Sequence, residues 1–185
     1  MKPILTIIFI IFFAKSNCQV IKDKNLILEN DIYNNFNNPK VSYALPFRIT
    51  DKISNKIVFE KTFKGNLCKE CYEDLINIAE KYKEKNRIED AIGIYKVAFR
   101  LNGNLGKVKD RYNAAICFIK VGEKDSAFTQ LTKIANGGKY NNLDEINSEK
   151  DFKELHNDAR WIAIIDRIKK NIQEFTDQLN SKVQW

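Results

Sequence analysis

Residues 75–98 read LINIAEKYKEKNRIEDAIGIYKVA, and 36 positions later residues 111–134 read RYNAAICFIKVGEKDSAFTQLTKI. Laid over one another, the two stretches pair Ala79 with Ala115, Tyr82 with Phe118 and Asn86 with Gly122. The same shift pairs Glu89 with Asp125, Ala91 with Ala127, Tyr95 with Leu131 and Ala98 with Ile134. Small falls on small, large on large, and turn former on turn former. A period in this range is what stacked two-helix units produce.

Working outward, each unit reads as two helices. Leu75, Ile78, Ala79 and Tyr82 recur at helical spacing and make one apolar stripe. Asn86 tolerates the left-handed conformation that ends many helices, and Glu89 or Asp90 favours the next start. Ala91, Ile94, Tyr95 and Ala98 form the second stripe. The later copy runs Tyr112, Ala115, Ile116 and Phe118, then Gly122, then Ala127, Phe128, Leu131 and Ile134. The alanines let paired helices approach closely, and Tyr82, Tyr95, Phe118 and Leu131 fill the space between units.

Leu75-x2-Ile78-Ala79-x2-Tyr82, followed by Ala91-x3-Tyr95-x2-Ala98, resembles the tetratricopeptide (TPR) pattern. Ala114-Ala115-x2-Phe118 and Ala127-x3-Leu131 repeat it more weakly. Arg111 departs from it where a large apolar residue is preferred, and Gly103 stands where Pro is common. The resemblance covers residues 72–136. It implies an all-α, TPR-like α-solenoid of two helix-turn-helix repeats within 67–136, with capping helices over 137–185. It also implies a concave face lined by Glu73, Ile76, Glu80 and Lys83 from one repeat and by Lys109, Tyr112, Ile116 and Ile119 from the next. That mixture of charge and apolar surface suits a protein or peptide segment, so the expected function is a non-catalytic interaction module. The paired Asn and Lys of carboxylate-clamp TPR domains are not found at these places.

After Gly137-Gly138 the chain continues through Leu143, Ile146, Phe152 and Leu155 to Asp158, a candidate N-cap for a last long helix. Trp161, Ile164, Ile165, Ile168, Ile172 and Phe175 follow at helical spacing. The segment from Gly122 to Trp161 is similar to the closing segment of many exported bacterial TPR proteins. Such a segment covers the open apolar face of a final repeat.

Lys2 precedes an apolar run, Ile4 to Ala14, too short to span a membrane and suited to a signal peptide. A signal peptide of residues 1–18, cut before Gln19, predicts an exported protein, periplasmic or extracellular. A lipid anchor on Cys18 is the alternative, against which Lys15 stands where the lipoprotein pattern wants an apolar residue. Residues 19–66 form an N-terminal extension, partly irregular. Asn34 to Pro39 reads as a loop; Ile49, Ile53 and Ile57 suggest a helix, whereas Phe47-Arg48-Ile49-Thr50 and Ile57-Val58-Phe59 suggest a hairpin. The expectation taken here is a partly helical cover for the first repeat.

Cys68 and Cys71 form a C-x-x-C that an oxidising compartment can close as a disulfide. A thiol-disulfide redox role is the rival reading, but it needs a βαβ setting that nothing nearby supplies. Cys117 sits among apolar neighbours as a core thiol. His156, the one histidine, has no nucleophile motif or second histidine beside it and is read as packed against Trp161. No metal site, cofactor or catalytic residue is expected. Hydrophobic residues at 44% and charged ones at 30% are the balance of a folded soluble domain. The formal charge of +7 is spread among neighbouring Glu and Asp, so nucleic acid is not an expected partner.

Overall fold

The computed structural model describes residues 25–29, 45–63 and 67–183. The expected signal peptide at 1–18, the alternative anchor Cys18 and the Asn-rich stretch at 34–39 lie outside the described residues. In chain order come β1 (Leu26–Glu29), β2 (Leu45–Asp51), β3 (Lys56–Phe63), α1 (Tyr72–Glu84), α2 (Ile88–Leu101), α3 (Val108–Lys120), α4 (Lys124–Asn136), α5 (Leu143–Ser148) and α6 (Ala159–Val183). A 3-10 turn, Lys69–Cys71, leads into α1, and a longer one, Lys150–Leu155, separates α5 from α6. The chain is mostly helical, with a small antiparallel sheet ahead of the helices.

The turn formers act where the sequence places them. Asn86 has φ 57° and Gly122 has φ 79°, the left-handed region that closes a helix. The N–H groups of Asn86 and Arg87 donate to the carbonyls of Lys83 and Tyr82, each at 2.9 Å. Gly122 and Glu123 donate to Ile119 and Phe118 at the same 2.9 Å. Both turns therefore satisfy the last helical carbonyls in one way. Gly138 is needed for a different reason: a Cβ there would lie 2.6 Å from Val108 Cγ2.

α1 packs along α2 and α3 along α4; α3 also seats against α2, and α6 against α4. Ala79, Ala91, Ala115 and Ala127 are fully buried, as close helix crossings require. Leu75 and Arg111 occupy matching places 36 residues apart, and both are buried. Arg111 fills its place with its aliphatic stem and holds its guanidinium 4.5 Å from the Phe99 ring centre. The same group donates to Gln130 Oε1 at 2.6 Å and to the Asn104 carbonyl at 2.5 Å.

The expected partly helical cover within 19–66 is corrected: its described part is a sheet in the order β1-β2-β3. Arg48 stands opposite Glu60 and Ile49 opposite Phe59 across β2 and β3. Alternation decides the outcome, because Phe47, Ile49 and Phe59 enter the same core as the helices. The helical spacing of Ile53 and Ile57 misleads, since these residues are 66% and 52% exposed beside a turn in which Asn55 has φ 51°.

Asp158 caps α6 by accepting from the Arg160 N–H at 2.9 Å. Trp161, Ile164 and Ile168 are buried, whereas Phe175 and Leu179 further along the helix are exposed. Asn171 donates to the carbonyls of Ala135 (2.7 Å) and Tyr140 (2.8 Å), tying α6 to the end of α4.

Sheet and helices meet at Asp51. Arg87 Nη1 and Nη2 donate to its two oxygens at 2.5 and 3.1 Å, and Tyr82 Oη donates at 3.1 Å. Arg87 Nε turns to Asp90 at 2.5 Å. Hydrogen bonding from Arg87 outweighs burial and holds the Asp51 carboxyl far below the usual carboxylate range. The folded state thus takes up this proton less readily than the unfolded chain. Its stabilisation is complete above the unfolded carboxylate pKa and fades as pH falls below it toward the folded value. Asp51→Asn is expected to cost about 3 kcal/mol at pH 7, the low end for losing one partner of a buried pair, because Arg87 keeps Asp90. Urea titrations of both proteins check this, and the gap between them should narrow below about pH 4.

Candidate functional site

The face shared by α1 and α3 is built from side chains that bridge the two helices. Tyr72 Oη donates to Asp110 Oδ2 at 2.6 Å and accepts from the Lys107 N–H at 3.0 Å. Glu80 is the centre of a second bridge. It accepts from Tyr95 Oη and from Asn113 Nδ2 (2.8 Å), and Lys83 Nζ lies 2.7 Å away. Burial raises the Glu80 pKa, but the combined pull of Lys83, Tyr95 and Asn113 prevails and lowers it. Burial, with Glu80 beside it, pushes the Tyr95 hydroxyl far upward, so it stays a donor.

The eight residues assigned to a concave face do not all reach solvent. Ile76, Tyr112 and Ile119 are buried. Tyr112 lies under the chain's own C-terminal third: its ring centre is 5.3 Å from Phe152 and 6.0 Å from Tyr140, and its hydroxyl donates to the Glu145 carbonyl at 3.3 Å. Residues 140–155 therefore occupy part of the surface that α3 was expected to offer. Glu73 is exposed and paired with Lys107 at 2.6 Å. Lys109 is exposed, while Lys83, Glu80 and Ile116 are half-buried. What remains open is a polar strip along α1 and α3 with one aliphatic side chain in it.

Cys68 and Cys71 are joined as a disulfide, their Cα atoms 5.3 Å apart. They are 1% and 0% exposed, and the Cys68 N–H donates to the Leu101 carbonyl at 2.9 Å. The bridge thus staples the entry of α1 beside the end of α2. Its sulfurs are out of reach of an incoming thiolate, which exchange chemistry requires. Cys117 is buried, and desolvation pushes its thiol up to about 11. His156 stacks on Trp161 with ring centres 4.6 Å apart, as expected of a packed histidine. Among the described residues no group of three His, Cys, Asp or Glu could hold a metal ion, and no helix is long and apolar enough to cross a membrane.

Two features escaped the sequence reading. One is the Asp51–Arg87 junction, whose partners are far apart in sequence. The other is a crevice between β3 and α1, bordered by Val58, Lys61, Ile78 and Lys81 among others. The burial of the three described cysteines is directly testable. In the folded chain, maleimide should leave Cys68, Cys71 and Cys117 unlabelled with or without mild reductant; denaturant alone should open Cys117 to labelling, and denaturant with reductant should open Cys68 and Cys71 as well. Replacing Cys68 and Cys71 together by Ser should lower stability by about 2 kcal/mol, the loop-entropy value for so short a ring. Rapid native labelling of either bridge cysteine after mild reduction would restore the redox reading. No family model, curated protein or solved structure matches the chain.

Proposed function

We propose that this chain is an exported, non-catalytic interaction module of the tetratricopeptide kind that binds a protein or peptide segment. The observation that carries the reading is the recurrence at a step of 36 residues of the same helix-ending hydrogen bonds, at Asn86-Arg87 and Gly122-Glu123. Equivalent residues are also buried at both steps: Ala79 and Ala115, Tyr82 and Phe118, Ala91 and Ala127, Tyr95 and Leu131. Helix pairs that repeat in this way stack into arrays whose first helices present a continuous face to partners.

With Tyr112 and Ile119 covered, that face offers Glu73, Lys83, Lys109 and Ile116 to a partner. The mixture favours a peptide with both polar and apolar contacts, held weakly by so small an array. Export rests on the leader at residues 1–18 and fits the Cys68–Cys71 disulfide, which persists in an oxidising compartment. Mass spectrometry of the mature protein should find Gln19 at its N-terminus; a lipid-modified Cys18 would replace a free module by an anchored one.

The binding role is tested with a photo-crosslinking residue placed in turn at Glu73, Lys109 and Ile116, and at Glu89 on α2 as control. One protein species crosslinked from the first three sites and not from Glu89 is the expected result. Crosslinking equally from all four sites, or from none, would overturn the α1–α3 face.

A further inference from the structure

β3 is an outer strand, paired with β2 on one side and with no other strand among the described residues. Two hollows of about 550 and 450 Å³ lie between it and α1. They share Val58, Ile78 and Lys81, so they form one continuous crevice. The first hollow touches four consecutive residues of β3, Val58 to Lys61, and the second touches Lys56 to Val58. Successive side chains of a strand point to opposite faces. That alternation is interrupted at Val58, an extra residue between the Ile49–Phe59 and Thr50–Ile57 pairs, and holds from Phe59 to Lys61. A hollow that touches Phe59, Glu60 and Lys61 together therefore runs beside the strand's outer edge, where backbone N–H and C=O groups stand. The opposite wall is one face of α1 and its C-terminal cap, with Asp74, Ile78 and Lys81 on the helix and Lys85 just after it, three or four residues apart.

The chemistry of the crevice selects its occupant. Ile57, 52% exposed, and half-buried Val58 and Ile78 supply apolar contact. Lys56, Lys61, Lys81 and Lys85 border it, none with an ion-pair partner among the described residues. Two of the carboxylates there are already neutralised, Glu60 by Arg48 at 3.0 Å and Asp51 by Arg87 at 2.5 Å. Asp74 remains against four lysines. The span from Lys56 to Lys61, five steps of about 3.3 Å, is about 17 Å, the reach of a strand of five or six residues.

The geometry points to an acidic, extended peptide that adds as a fourth strand to the outer edge of β3, its apolar residues alternating with Glu or Asp. Backbone hydrogen bonds supply affinity, and the lysines select the charge. The site uses β3 and the face of α1 turned to it, and it stands whether or not the helix pairs are of the tetratricopeptide kind.

The test is fluorescence anisotropy of the full chain with a labelled octapeptide of alternating Glu and Val. Saturable binding is expected, weakened at least tenfold in Lys81→Glu/Lys85→Glu. That variant changes exposed side chains only, and circular dichroism checks its fold. It should instead take up the matching Lys-Val peptide. N-methylation along one edge of the Glu-Val peptide should abolish binding, and along the other edge should leave it unchanged. No saturable binding up to millimolar peptide, or no effect of N-methylation on either edge, overturns the proposal. So does a concentration-dependent dimer that the peptide does not dissociate, because a second copy would then be the occupant. Loss of this site with intact crosslinking from Glu73, Lys109 and Ile116 would remove strand addition and leave the helical face standing.

Discussion

The guanidinium of Arg87 answers two carboxylates at once, Asp51 on the sheet and Asp90 on α2, and this demand fixes how the two parts of the molecule meet. Arg87 stands in the turn between α1 and α2, where the left-handed Asn86 directs the chain into the second helix. A planar fork with donors on several sides can bridge such partners; an ammonium group could not hold the same geometry. The Tyr82 ring lies under the guanidinium, 4.4 Å from centre to cation, so the charge is stacked as well as paired. Phe47, Ile49 and Phe59 give the sheet its apolar contact with the shared core, and this junction adds a directional contact to it.

Helix packing and surface availability are linked in the same way. Alanines at the crossings bring α1 onto α2 and α3 onto α4, and the bridges through Tyr72 and Glu80 then bring α1 beside α3. Two helix pairs packed side by side leave an outer face uncovered, and exposed apolar surface there is costly. The C-terminal third meets that cost by laying Phe152, Tyr140 and α5 against α3 and by docking α6 on α4. The consequence is functional. The C-terminal third removes Tyr112 from any binding face, and Ile119 is buried as well, whereas among the described residues β3 pairs on one side only.

The helices were legible because their signals are local. Apolar residues three and four apart, a left-handed Asn or Gly at each turn and Asp158 before α6 all act within a few residues of themselves. The 36-residue correspondence added a longer signal, and it even covers Arg111, whose stem does the work of Leu75 at the matching place. The sheet was misread because both periods were present over Ile49 to Ile57. A spacing of four favoured a helix, but only the alternation of Phe47, Ile49 and Phe59 could reach a core. The concave face was partly misread for another reason. Residue spacing says which side chains share a helix face; it does not say what other part of the chain lies on that face.

From sequence alone came the helix pairs, their turns, the disulfide cysteines and the packed environment of His156, since each depends on neighbours within one or two turns of chain. Only the tertiary structure decided that Tyr112 is covered, that Asp51 is joined to Arg87 and that β3, paired among the described residues with β2 alone, lies beside a crevice bordered by four lysines. These are meetings between segments tens of residues apart, brought about by the burial of one shared core, and no local pattern encodes the angle at which such segments meet.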